Sequence, residues 1–125
     1  MIKVYVRNEK VSKNFFCHEF HCNCLLSHVV FIDDKLIQAV QIFRNLIGKP
    51  ITFTSAYRCP AHNHSDSVSG VLFSQHTQGK AVDIPLPKQP EKRKDFINTA
   101  KKVFSFVKVY RKKNFIHCDV RDLEL

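Results

Sequence analysis

Ser74-Gln75-His76-Thr77-Gln78-Gly79-Lys80-Ala81-Val82-Asp83 places a histidine and an aspartate seven residues apart, with a single glycine between them. A second segment, Phe115-Ile116-His117-Cys118-Asp119-Val120, brings another histidine near the C-terminus. Strand alternation puts Phe115, His117 and Asp119 on one face and Ile116, Cys118 and Val120 on the other. It likewise puts Ala81 and Asp83 on a common face of the earlier segment. Two imidazoles and one carboxylate are the three protein ligands that a catalytic zinc site needs, with a fourth position left for water. Gly79 permits a tight turn between His76 and the strand carrying Asp83. Ser74 can brace the loop through bonds to its backbone, a role equally open to it in a loop without metal. A lone histidine is usually structural; the ordered set His76, Asp83, His117 is what points to Zn2+.

The elements around these segments predict an α+β domain, a small antiparallel sheet with helices packed behind it. Leu36, Ile37, Val40, Phe43, Leu46 and Ile47 recur at helical spacing between about Asp34 and Ile47. Asp33 or Asp34 can cap that helix, and Gly48 followed by Pro50 can end it. A second helix begins near Pro90 and buries Phe96, Ile97, Ala100, Val103 and Phe104. Strands are expected at Ile2–Val6, Ile51–Ser55, Lys80–Ile84, Phe106–Tyr110 and Phe115–Val120, the last two forming a hairpin across Arg111-Lys112-Lys113-Asn114. Ser12 to Cys24 reads as irregular chain with a helical turn at Phe16–Phe20. Ala56 to Ser74 reads as a long loop, and loops of that length are more often functional than decorative.

With 125 residues, 44% of them apolar and 25% charged, the chain is read as one domain spanning residues 1–125. The net charge of +9 favours polyanions, among them nucleic acid, anionic lipid and the phosphate-bearing polymers of a bacterial envelope. A solvated basic face explains the same charge. No zinc-finger, helix-turn-helix or RNP-like pattern accompanies it, so specific nucleic-acid recognition is not expected. No apolar run approaches bilayer-spanning length, and Met1 to Arg7 is too short and too charged for a signal peptide. The expectation is synthesis in the cytoplasm as a monomer. The odd count of five cysteines fits a reducing compartment.

The motifs Ser74-x-His76-x-x-Gly79-x-Ala81-x-Asp83 and His117-x-Asp119 resemble the zinc site of the D-Ala-D-Ala carboxypeptidase family, peptidase M15, which includes phage endolysins and related murein peptidases. Upstream, Phe16-x-x-x-Phe20-x-Cys22-x-Cys24 is similar to the family's N-terminal segment. Gly48-Lys49-Pro50-Ile51 and Thr54-Ser55-Ala56-Tyr57-Arg58-Cys59-Pro60-x-His62-Asn63 are similar to its strand and arginine loop. The resemblance covers roughly residues 15 to 121 in matching order and is closest to the short, phage-associated branch. It implies the fold shared by hedgehog signalling domains and zinc D-Ala-D-Ala peptidases, with His76, Asp83 and His117 as zinc ligands. It implies hydrolysis of amide bonds in peptidoglycan stem peptides or cross-links, on the cell wall after release or delivery.

Arg58 falls where relatives engage the substrate carboxylate, consistent with the guanidinium fork. Ser74 and Gln75 are the neighbouring candidates for substrate binding. Several relatives carry an acid three residues before the last ligand, where this chain has Asn114. Asp119 is therefore the candidate general base, and equally a candidate for holding a metal-bound imidazole N–H. If neither reading supplies a base, the chain is a catalytically impaired, zinc-containing binding module of the same fold. Cys22, Cys24 and Cys59, with His21 or His62, leave a structural zinc site, a disulfide and buried thiols all open. Cys17 and Cys118 read as core residues.

Overall fold

Asp33 stops an extended segment and starts a helix. Its φ of −72° and ψ of 134° are non-helical, and its carboxylate accepts from the Lys35 amide at 2.9 Å. The helix α1, Asp34–Ile47, runs until Gly48 takes a left-handed φ of 72° and donates its N–H to the Arg44 carbonyl at 3.0 Å. In the computed structural model, residues 2–6, 9–20, 29–57, 75–76 and 78–123 are described. Arg58, Cys59, His62, Ser74, Cys22, Cys24, His21, His28 and His64 lie outside them.

Leu36, Ile37, Ala39, Val40 and Phe43 form the buried face of α1. Phe43 has no exposed surface and meets Phe96 and Phe104 edge-on, at centroid distances of 5.0 and 5.7 Å. Phe96, Ile97 and Ala100 are the buried residues of α2, Pro90–Val103, which opens with proline in its first turn. Leu46 departs from the expected buried face. It is 61% exposed, because the last turn of α1 reaches the rim of a cavity of about 480 Å³ between the two helices and Leu86.

Among the described residues the strands make three antiparallel sheets. The strand β1, Ile2–Val6, pairs with β4, Val29–Asp33, and the short strands β2, Lys10–Ser12, and β3, Phe15–Phe16, pair with each other. A 3-10 turn follows at Cys17–Phe20, where the sequence predicts a helical turn. The third sheet has the order β5-β7-β6, with β5 at Ala81–Pro85, β6 at Phe106–Tyr110 and β7 at Phe115–Asp119. The β6–β7 hairpin turns through Arg111–Lys113 and through Asn114, whose φ of 57° is a conformation that asparagine tolerates better than most residues.

Ile51–Ser55 does not form the expected strand. Only Ser55 bridges to Asp83, with the Asp83 amide bonded to the Ser55 carbonyl at 2.7 Å and the Thr54 amide to the Asp83 carbonyl at 2.9 Å. The pairing cannot extend far, since Pro85 at the end of β5 has no N–H to donate. Phe53 instead stacks on Phe15 at 5.4 Å and meets Phe20 at a tilt at 4.9 Å.

The expected strand alternation holds where it matters for the site. Val82, Ile84, Ile116 and Cys118 face the core with 0–1% exposure, leaving Asp83 and His117 on the other side of the sheet. Cys17 and Cys118 are buried free thiols, as expected of core residues.

Candidate metal centre

Asp83 on β5 and His117 on β7 are directly opposed across the antiparallel ladder. Opposed side chains on one face lie within about 5.5 Å at Cβ, so the register alone brings carboxylate and imidazole together. His76 reaches them from the turn before β5. Gly79, at φ 68°, donates its N–H to the His76 carbonyl at 3.2 Å, and the Lys80 amide bonds to the Gln75 carbonyl at 2.9 Å. The Gly79 carbonyl accepts from the Asp33 amide at 2.8 Å, which ties the turn to the end of β4.

One atom each of His76, Asp83 and His117 converges, all within 4.8 Å of one another. His76 Nε2 lies 3.2 Å and His117 Nδ1 3.1 Å from Asp83 Oδ1. The other nitrogen of each ring is engaged. His76 Nδ1 lies 2.7 Å from the Ala56 carbonyl oxygen, which can only accept, so this nitrogen carries the proton. His117 Nε2 donates to Asp119 Oδ2 at 2.7 Å. Each neutral ring therefore turns a lone pair inward, toward a carboxylate oxygen that also carries lone pairs.

Three electron-pair donors at this separation repel unless protons or a cation lie between them. Ligands around tetrahedral zinc, with bonds of about 2.0–2.1 Å, are roughly 3.3 Å apart. The donor set fits zinc in type, and the 3.2 and 3.1 Å separations of the two imidazole nitrogens from Asp83 Oδ1 fit its ligand spacing.

The protonation equilibria follow from the same contacts. Burial works to raise the Asp83 carboxyl, but hydrogen bonds and charge from His117 and His76 outweigh it and hold it at about 2. Burial disfavours charge on His117, yet bonds to Asp119 and Asp83 raise its pKa above the ordinary imidazole value. Cys118, on the opposite face of β7, is pushed well above the usual thiol range by burial and by the Asp83 and Asp119 charges. That keeps it a thiol and removes it as a nucleophile.

The family model described as Peptidase M15 matches residues 13–119. The chain belongs to the peptidase M15 family. The comparisons with curated proteins and with solved structures each gave no significant match. M15 peptidases are zinc enzymes in general, and the possible metal-binding group of this member is His76, Asp83 and His117.

The other expected site residues are placed as follows. Asp119 ends β7 with no exposed surface. Gln75 sits beside His76 with its side-chain Oε1 buried and without a hydrogen-bond partner among the described residues. Asn114 is exposed on the hairpin turn, and its carbonyl accepts from the Leu86 amide at 2.9 Å. Two contributors were not anticipated. The Ala56 carbonyl is a backbone group with no sequence signature. Arg121 lies two residues beyond Asp119 and bonds to both of its oxygens.

Zinc held by this group would compete with the proton on His117 Nδ1. Because the His117 pKa is raised, protons occupy the site from a higher pH downward than they would on an ordinary imidazole. Zinc affinity should climb with pH through the imidazole range and level off only above the raised His117 value. Chelator competition from about pH 5 to 8 reads this, and a flat profile would contradict it.

Proposed function

We propose that this M15 family member is a zinc-dependent peptidase that hydrolyses amide bonds in peptidoglycan stem peptides or cross-links. In this reading it is of the D-Ala-D-Ala carboxypeptidase type and acts on the cell wall after release or delivery, in the manner of a phage lysin. The observation that carries the reading is the convergence of His76 Nε2, Asp83 Oδ1 and His117 Nδ1, with the far nitrogen of each ring held by an acceptor.

Zinc bound there would polarise the scissile carbonyl and lower the pKa of water to about 7. Ala56 and Asp119 hold the two imidazoles in the tautomers that ligation requires. Gln75 Oε1, without a partner among the described residues, supports a role for Gln75 in binding substrate, as an acceptor for a peptide N–H. Arg58 and Ser74 complete the binding set by resemblance, Arg58 pairing with a substrate carboxylate.

For Asp119 we favour orientation of His117 over proton abstraction. Both of its oxygens accept hydrogen bonds. Burial raises its carboxyl, but His117 and Arg121 overcome this and hold it at about 2, too low for a base matched to neutral pH.

That commitment of Asp119, with an amide at Asn114, favours a second reading: a zinc-containing binding module of the same fold with impaired catalysis. Incubating the zinc-loaded protein with purified murein and analysing released peptides by mass spectrometry separates the two. The peptidase reading expects zinc-dependent release of stem-peptide fragments, and their masses identify the bond. Full zinc content with intact murein selects the binding module.

A further inference from the structure

We propose that Arg121, seated on the ring of Phe106, is the positioning residue that holds Asp119 against His117 and so fixes the third metal ligand. The inference rests on the metal-centre reading above and extends it to residues that nothing else assigns.

Among the described residues the Asp119 carboxylate accepts four hydrogen bonds, and Arg121 supplies three of them. The Arg121 backbone N–H and Nε donate to Oδ1 at 3.1 and 2.8 Å, and Nη2 donates to Oδ2 at 2.7 Å. The fourth is the His117 Nε2 bond to Oδ2 at 2.7 Å. The guanidinium thus grips both carboxylate oxygens in its planar fork and leaves one direction of Oδ2 for the imidazole.

The fork is itself held. The Arg121 guanidinium carbon lies 3.9 Å from the centroid of Phe106, within cation–π range. Phe106 is opposed to Asp119 in the β6–β7 register, and its ring meets the His117 ring edge-on at 5.9 Å. Ser105 Oγ donates to the carbonyls of Asp119 at 3.2 Å and Arg121 at 2.5 Å, which closes the backbone around the pair.

An exposed ion pair would warrant no such role, since those are individually weak. This one differs in that the carboxylate is wholly buried while the Arg121 side chain keeps 41% of its surface in solvent. Without the fork, a buried carboxylate bonded only to His117 is under-satisfied and gains by rotating toward water. His117 would then lose the acceptor that selects its tautomer and ring angle.

The sign of the effect separates positioning from charge. A nearby cation repels zinc, so if charge alone mattered, removing Arg121 would tighten binding. If the fork matters, removal weakens binding, and lysine, which keeps the charge but not the planar fork, fails to restore it.

The test measures zinc dissociation constants by chelator competition, and visible spectra after cobalt(II) substitution, for wild type, Arg121→Ala, Arg121→Lys and His76→Ala. Zinc-free thermal melts run in parallel. Arg121→Ala is expected to weaken zinc about 10- to 100-fold and to change the cobalt spectrum, while the zinc-free melt, though lowered by the under-satisfied carboxylate, still shows a folded protein at the assay temperature, with Arg121→Lys closer to alanine than to arginine. Zinc affinity within about twofold of wild type with an unchanged spectrum, or tighter binding, overturns the proposal. Should Arg121→Ala fail to fold, Arg121→Gln, which keeps part of the stem and one donor group, is judged by the same criteria. If His76→Ala binds zinc as wild type does, the metal-centre reading itself fails. Loss in His76→Ala with none in Arg121→Ala removes only the role of Arg121.

Discussion

Replacing His76 with alanine should strip the purified protein of zinc, from about one ion per chain to a small fraction of that. The expectation follows from geometry. His76 is the candidate ligand whose place is fixed by the loop rather than by the sheet, and its inward Nε2 lies 3.2 Å from Asp83 Oδ1. Without it, Asp83 and His117 remain as a two-ligand pair, and zinc sites are built from at least three protein ligands. Loss of an orienting partner already costs 10- to 100-fold in metal affinity, so loss of a ligand should cost more than about 100-fold. Any murein hydrolysis should disappear with the metal. His18→Ala is the matched control, because His18 is exposed and, among the described residues, stacks on the exposed ring of Phe16 at 5.8 Å. Metal analysis after purification without chelator decides the matter. Full zinc content in His76→Ala with a native circular-dichroism spectrum would sink the ligand assignment.

The site was more legible in the sequence than the devices that orient it, for a physical reason. His76, Asp83 and His117 are side chains of types that bind metal, spaced so that each can face one way from its own segment. What the spacing could not reveal was the register that opposes Asp83 to His117, because pairing across a sheet is set by contacts distant in the chain. The Ala56 carbonyl was invisible because every residue has one. Arg121 was one of twenty basic residues, and nothing local marks it until the end of β7 places Asp119 within its fork.

The elements show the same division. The α1 boundaries were readable because Asp33 and Gly48 act within one turn of the residues they cap. Ile51–Ser55 has strand composition, yet its fate was decided elsewhere, by Pro85 on the neighbouring strand and by the Phe15–Phe20 cluster that takes up Phe53. Leu46 keeps the helical period of the core face but sits where α1 runs past its neighbours. Periodicity reports which face an element buries, and says less about how far the partner extends.

Gly79→Ala should be the most damaging substitution outside the ligands, and Gly48→Ala shows why. Both glycines have positive φ, 68° and 72°. A left-handed backbone costs a non-glycine residue roughly 1–2 kcal/mol, and this charge applies to both positions. They differ in surroundings. A methyl group at Gly48 meets nothing within 4 Å, whereas one at Gly79 collides with the carbonyl oxygen and carbon of Phe31 in β4 and presses on the Ile32 Cα at 3.0 Å. Those atoms are backbone and cannot rotate away. Overpacking of this kind adds about 1–3 kcal/mol, for a total of about 2–5 kcal/mol. Relief requires the turn to move off β4, which breaks the Asp33 amide bond to the Gly79 carbonyl and shifts the His76 carbonyl bonded to the Gly79 amide. The zinc-free melt should therefore fall by about 10 °C or more for Gly79→Ala and by only a few degrees for Gly48→Ala. Zinc affinity should drop with Gly79→Ala, because His76 rides on the displaced turn, and stay at the wild-type value with Gly48→Ala. Equal destabilisation of the two variants would mean that φ alone is responsible and that the turn has room to spare against β4. A Gly79→Ala protein that melted lower but bound zinc normally would show that His76 is held by Ala56 and the sheet independently of the turn that carries it.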